Sequence, residues 1–178
     1  MPTTLPSIAH YLENRNWVYN FDEDNSRIIT GVNAENVEGF LIVIQLTENG
    51  EYVQFIAPQL LQVKDQVFKG IAFQTMLALN SELKMLRFEY DPADGEVRAS
   101  IELPLEDAEL TERQFNRCLS GLIELVDEVA MPRLKTVLAT GIDPGRKNLA
   151  ARLLDGMPDE LVSLLEQAIA LRQEQPDI

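Results

Sequence analysis

The chain has 178 residues, of which 46% are apolar and 25% charged, which excludes a disordered chain and suits one globular domain with a sizeable core. Its net charge of −14 would repel a phosphate backbone, so we expect no nucleic-acid partner. A single cysteine excludes an intrachain disulfide and favours the reducing cytoplasm. Residues 1–14 lack the basic start and apolar core of a signal peptide, and no apolar run approaches the ~20 residues of a membrane span.

The first part of the chain predicts a helix and a hairpin. Thr4–Glu13 carries apolar residues at helical spacing behind a threonine cap, with Pro6 in the first turn. Trp17–Phe21 then alternates apolar and polar residues and leads through an acidic turn into Arg27–Val32, which predicts two antiparallel strands.

A second hairpin is predicted next. Phe40–Leu46 is almost continuously apolar, which favours a central strand buried on both faces. Asn49-Gly50 is a strong hairpin signal, and the return strand Tyr52–Ala57 is expected to end at Pro58.

From Asp65 the apolar spacing becomes helical and predicts a helix that ends at Asn80-Ser81. Apolar residues lie on both of its sides, so we expect it to pack between the sheet and something else. One side carries Phe68, Ile71, Ala72, Thr75, Met76 and Leu79, and the other carries Phe73 and Leu77.

The stretch Leu86–Leu105 predicts a third hairpin. Two alternating segments flank Asp91-Pro92-Ala93-Asp94-Gly95, in which Pro suits a type I turn and Gly a left-handed residue. Its outward face carries two arginines and two glutamates that suit cross-strand pairing.

A long amphipathic helix follows and is the best cover for the sheet. Thr111 and Gln114 form a capping box, Pro132 predicts a kink or a restart, and Gly141 ends the helix. Its predicted buried stripe is Phe115, Cys118, Leu119, Leu122, Ile123, Val126 and Val129.

The carboxyl-terminal tail predicts two further helices, Arg146–Leu154 and one opened by Pro158. The second has an apolar stripe that must pack somewhere, which makes it the candidate partner-binding site. The predicted fold is therefore α+β, an antiparallel sheet covered by helices in the order α-β-β-β-β-α-β-β-α plus C-terminal helices, with a domain at 1–140 and an extension at 141–178. The stripe consists of Leu161, Leu164, Leu165 and Ile169.

Possible sites for chemistry each have a simpler interpretation. Asp91, Asp94 and Glu96 lack the ligand spacing of a calcium loop, and Asp22-Glu23-Asp24 is interpreted as a solvated turn. His10 is the only histidine, which argues against a zinc site or a histidine-based triad.

Cys118 lies in an apolar stripe and is expected to be buried, although Arg113 and Arg117 leave a reactive thiol open. Glu106-Asp107 and Asp127-Glu128 are neighbours only in sequence, and helical neighbours point apart. No phosphate-binding glycine motif occurs. We therefore assign no catalytic, metal or cofactor-binding residue and expect no cofactor.

Most of residues 1–140 resembles the YbjN-like family of bacterial proteins, particularly its cyanobacterial members, and the segment Phe88–Leu134 carries the specific part of the resemblance. The resemblance rests on the acidic hairpin turn, the ELPLED step into the long helix, and D-E-x-x-x-P-x-L-K at Asp127–Lys135. It implies a fold similar to that of type III secretion chaperones and a homodimer without established catalysis.

Function is then predicted as a cytoplasmic, non-enzymatic protein-binding module, chaperone-like or adaptor-like, with an unknown protein partner. The alternatives are an enzyme whose carboxylates converge only in three dimensions and a structural subunit of a larger assembly. The tail is hypothesised to cover an apolar surface and to yield it to a partner, with a permanently packed extension as the alternative.

Overall fold

The computed structural model describes residues 2–145 and 157–173, and the side chains of these residues as far as position 167. The chain divides into two compact units, Met1–Asp143 and Pro144–Ile178, each of which is described by itself. The predicted helix Arg146–Leu154 lies outside the described residues.

The described elements follow the predicted order. In the first unit they are α1 (Leu5–Asn14), β1 (Tyr19–Asp22), β2 (Arg27–Val32), β3 (Phe40–Thr47), β4 (Tyr52–Gln62), α2 (Lys69–Glu82), β5 (Arg87–Tyr90), β6 (Glu96–Pro104), α3 (Glu112–Glu124), a π-helical segment (Leu125–Ala130) and α4 (Met131–Thr140); the second unit contains α5 (Asp159–Gln173).

The sheet is antiparallel throughout, with the strand order β1-β2-β3-β4-β6-β5. Buried residues of α1, α2, α3 and α4 belong to one core cluster with Ile28, Ile44 and Phe55 of the sheet. The helices of this unit therefore cover one face of the sheet, and the predicted α+β class is confirmed.

The two predicted caps are confirmed. Thr4 and Ser7 form a reciprocal capping box on α1, and Thr111 and Gln114 form another on α3. Each box satisfies backbone N–H groups that a helix start leaves without partners.

The interpretation of β3 as buried on both faces was wrong. Ile42, Ile44 and Leu46 are buried, whereas Leu41 on the opposite face is 54% exposed. Strand side chains alternate between faces, and the helices of the first unit cover only one face. The continuous apolar run therefore places Leu41 and Val43 on the other, open face.

Pro58 does not end its strand, contrary to prediction. β4 continues to Gln62, and its register against β6 shifts between Ala57 and Leu61. A bulge there leaves residues unpaired, so the missing N–H of proline removes no ladder bond. The residues after the bulge extend the sheet towards the β5–β6 turn.

The other boundaries differ little from expectation. α2 continues to Glu82 instead of ending at Asn80-Ser81, and Leu77 is 71% exposed within this chain.

The long helix restarts as predicted, since the π-helical segment leads into α4 with Pro132 in its first turn. Val129 is exposed, because the π-helical segment rotates it out of the predicted stripe.

The β5–β6 hairpin is confirmed with its turn. Gly95 has φ of 88°, and a Cβ there would fall 2.5 Å from the Cβ of Lys64. On the outward face Glu89 accepts a hydrogen bond from the Arg98 Nε at 2.8 Å, which is the predicted cross-strand pairing.

Candidate functional site

α2 and α4 lie side by side and antiparallel. At one end the Arg133 Nη1 donates to Glu82 Oε2 at 2.7 Å, and at the other the Phe68 ring lies against Gly141. Gly141 has φ of 72° and ends α4, and a Cβ there would fall 2.7 Å from the Phe68 ring. Only glycine fits this close approach.

The outer side of α2 carries no charge. Lys69 and Glu82 are the only charged residues of this helix and stand at its two ends. Leu77 is exposed in the middle, and a Cβ at Gly70 would meet nothing within 4 Å. We define the α2–α4 surface as the exposed residues Gly70, Gln74, Leu77 and Ser81, with the exposed Val67 and Ile142 beside the Phe68–Gly141 contact.

A buried arginine in the first turn of α4 joins this helix to the end of α2 and to Asp143. Arg133 Nε and Nη2 donate to the Asp143 carboxylate at 2.7 and 3.0 Å, while Nη1 reaches Glu82. The hydrogen bonds with Asp143 raise the pKa of Arg133 above its usual range against the effect of burial, and Glu82 adds to them. The guanidinium is therefore permanently charged and paired on both sides.

The π-helical segment carries a buried carboxylate that sequence reasoning missed. Asp127 is 5% exposed and accepts the backbone N–H groups of Glu35, Asn36 and Val37 at 2.8, 2.9 and 3.1 Å. Burial raises the pKa of Asp127, but the three N–H donors outweigh it, so the net pKa lies below the usual range. A signal was present, since Asp127 stands four residues after Ile123 in the apolar stripe.

The open face of the sheet carries a short apolar row. Ile29, Val43 and Ile56 are opposite one another on neighbouring strands and are half-buried, with the exposed Leu41 on the same face. The cross-strand register places their side chains within contact distance.

A polar network continues beside this row on β4, β5 and β6. Glu102 accepts hydrogen bonds from the Tyr52 hydroxyl at 2.6 Å and the Gln54 amide at 2.7 Å, and pairs with Arg87. Burial raises the pKa of Glu102, yet these donors together lower it below its usual range. The charges of this face are thus neutralised by neighbours.

The acidic turns use their carboxylates locally. Asp91 accepts the N–H of Ala93 at 2.8 Å, and Asp94 accepts that of Glu96 at 2.9 Å. Asp22 accepts from the side chains of Asn25 and Arg27. Within residues 2–145 and 157–173, no three His, Cys, Asp or Glu side chains come together in a group that could hold a metal ion.

The remaining candidates lie apart in the structure. Cys118 is buried in the core, and burial raises the pKa of its thiol against the opposing effect of Arg117, as expected for an inert cysteine. His10 is exposed on α1 near Glu13. Asp127 is buried while Glu128 is exposed, so these neighbours point apart as predicted.

The predicted stripe of the tail lies on α5. Leu161, Leu164 and Leu165 are 50%, 59% and 42% exposed. The side chain of Ile169 lies outside the described residues. No helix in the described part of the chain is long and apolar enough to span a bilayer.

The fold is similar to that of two solved structures. The crystal structure of Escherichia coli YbjN, a putative transcription regulator, matches with a TM-score of 0.56 and 16% identity over 72% of this chain and 89% of that one. The ExsC–ExsE complex contains a chain that matches with a TM-score of 0.51 and 18% identity, over 73% of this chain and 95% of that one. These similarities establish an α+β fold of the type III secretion chaperone kind.

The chain belongs to the YbjN family. The family model, described as a putative bacterial sensory transduction regulator, matches residues 4–130. This match confirms the predicted resemblance to the YbjN family. No curated protein sequence matches closely enough to count as a relative.

Proposed function

We propose that this protein is a homodimeric, non-enzymatic protein-binding module of the cytoplasm, chaperone-like or adaptor-like, and that two copies meet through the α2–α4 surface. The observation that carries the proposal is the exposed Leu77 on an uncharged helix side, in a chain of net charge −14. Exposed apolar surface of this kind marks sites where proteins associate.

Charge also favours a second copy as the occupant of this surface. Two chains of the same sign repel each other least where neither presents charge. An antiparallel pairing of α2 with its counterpart brings Lys69 at the start of one helix to Glu82 at the end of the other. Such a self-complementary arrangement satisfies two-fold symmetry.

A partner polypeptide is supported by the similar ExsC–ExsE structure, which is a complex of two proteins. For this chain we propose that the partner binds the apolar stripe of α5, formed by Leu161, Leu164, Leu165 and Ile169. The first three of these side chains are largely exposed, and an apolar stripe of this spacing suits a groove on another protein.

The dimer is tested by light scattering after gel filtration. We expect twice the chain mass for the natural sequence and the mass of one chain for Leu77→Glu, because the introduced carboxylates would face each other across the two-fold axis. Leu41→Glu is the matched control, since it changes another exposed leucine, which lies on the open face of the sheet.

A monomer mass for the natural chain would overturn the homodimer. A dimer that Leu41→Glu separates and Leu77→Glu leaves intact would move the interface to the open face.

Partner binding is tested by comparing proteins captured from a host extract by the natural chain, by Leu164→Glu and by Gln167→Glu. We expect Leu164→Glu to lose specific partners and Gln167→Glu, a polar site on the same helix, to retain them. Equal capture by all three would remove α5 from the binding surface.

A further inference from the structure

A side chain of α2 forms hydrogen bonds with the backbone of β5, a strand at one edge of the sheet. β1 and β5 are the edge strands. An edge strand normally presents N–H and C=O groups that pair readily with a strand of another chain.

The outward-pointing groups of Phe88 are in the middle of this edge. Phe88 N–H donates to the Asn80 Oδ1 at 2.7 Å, and Asn80 Nδ2 donates to the Phe88 carbonyl at 3.2 Å. In an antiparallel ladder, residues alternate between groups directed at the neighbouring strand and groups directed away from it. The carboxamide thus makes the same two bonds that a residue of an added strand would make.

The amide is held in position by the packing of α2 along β5. The ring centroids of Phe73 on α2 and Tyr90 on β5 are 4.6 Å apart. Phe73 precedes Asn80 by seven residues on the same helix. Beyond Asn80, Glu82 is paired with the buried Arg133. The Phe73–Tyr90 contact therefore holds α2 against β5 before Asn80, and the Glu82–Arg133 pair holds the end of α2 against α4.

Asparagine has no local reason to stand at this position. It is a poor helix former, and α2 continues past it to Glu82, so the residue neither caps nor ends the helix. The two hydrogen bonds that its side chain forms with the Phe88 backbone explain why asparagine stands here.

We propose that Asn80 closes the β5 edge of the sheet against the addition of a strand from another molecule. The closure keeps association of this chain away from β5. It acts whether or not the α2–α4 surface forms a dimer.

The first test is amide hydrogen exchange on the natural chain. An outward-pointing edge amide exchanges rapidly when water is its only partner. We expect the Phe88 amide to exchange as slowly as the β5–β6 ladder amides of Arg87 and Glu89. Exchange of Phe88 at the rate of an exposed turn amide would overturn the proposal.

The second test is Asn80→Leu, which keeps the approximate side-chain size and removes both hydrogen bonds. We expect exchange of Phe88 to rise by about tenfold, the effect of losing one hydrogen bond, and the mass by light scattering to increase with concentration beyond that of the natural chain. Arg113→Leu, which adds an exposed leucine on α3, controls for surface apolarity and should change neither.

Unchanged Phe88 exchange and unchanged mass in folded Asn80→Leu would overturn the closure. Increased association of Arg113→Leu to the same degree would also overturn it, because added apolar surface would then suffice. If Asn80→Leu fails to fold, the exchange rate of Phe88 in the natural chain decides alone.

Discussion

Asp127 accepts the backbone N–H of Asn36 at 2.9 Å, a contact between residues that are 91 positions apart in the chain. Together with the N–H groups of Glu35 and Val37, this contact ties the β2–β3 connection to the π-helical segment. A buried carboxylate with three N–H donors is strongly favoured in its charged form. The connection between β2 and β3 is thus held by one side chain.

Asp127→Asn should lower the free energy of unfolding by about 2–4 kcal/mol, because the amide loses the charge and turns its NH₂ group towards backbone donors. Urea titration measures the change. Glu128→Gln is the matched control, since it makes the same chemical change at the exposed neighbouring position and should stay within about 0.5 kcal/mol. Equal stability of Asp127→Asn and the natural chain would contradict the role of the carboxylate.

Acid should destabilise the natural chain more than Asp127→Asn. The pKa of Asp127 is lowered in the folded state, so its contribution is complete above the unfolded value of about 4 and is lost as the pH falls through the folded pKa. The pKa of Glu102 is also lowered in the folded state, so its contribution to stability is likewise lost as the pH falls. Urea titrations between pH 7 and pH 3 should show the two proteins converging towards low pH, and parallel curves would refute this assignment.

A chain ending at Asp143 should fold cooperatively and more stably than one ending at Thr140. The shorter chain lacks the Asp143 carboxylate, so the buried Arg133 loses its hydrogen bonds to Asp143 and keeps those to Glu82. Loss of a hydrogen bond to a buried charge costs about 1.5–3 kcal/mol. Asp143→Asn in the full chain should reproduce much of the loss in a thermal melt, and failure of the chain ending at Asp143 to fold would show that the tail belongs to the core.

Calcium and EDTA should leave the thermal melting curve unchanged. The carboxylates of Asp91 and Asp94 accept backbone N–H groups within their own turn, so binding a cation would break those bonds. Magnesium serves as a control for unspecific ionic effects. A rise of many degrees in the melting temperature with calcium alone would show that these turns bind the ion.

The strands and capped helices were predictable because their signals are local. Alternation over Leu86–Leu105 and the positive φ expected at Gly95 need only neighbouring residues, and both are confirmed. The capping pair Thr111 and Gln114 is equally local. Where one apolar run faces both a core and an open surface, as in β3, the pattern alone does not distinguish the faces.

Asn80 and Asp127 escaped prediction for a different reason. Each forms hydrogen bonds with backbone groups of another part of the chain. Every residue type has such groups, so the sequence does not indicate which residues provide them. Asn80 was interpreted as a helix stop because asparagine favours helix ends, whereas tertiary contacts override that preference. Asp127 had the clearer signal of the two, because a carboxylate at a position of the apolar stripe indicates a buried charge that needs hydrogen-bond donors.

The first and third helices have a consequence for synthesis of the chain. Arg15, which caps the end of α1, bonds through its side chain to Asn116 and Ser120 of α3, which lie 101 and 105 residues further on. At about 5–20 residues per second, a ribosome adds those residues in roughly 5–20 s. During that interval the nascent α1 has no α3 to cover its apolar side, so the core closes only when the third helix emerges.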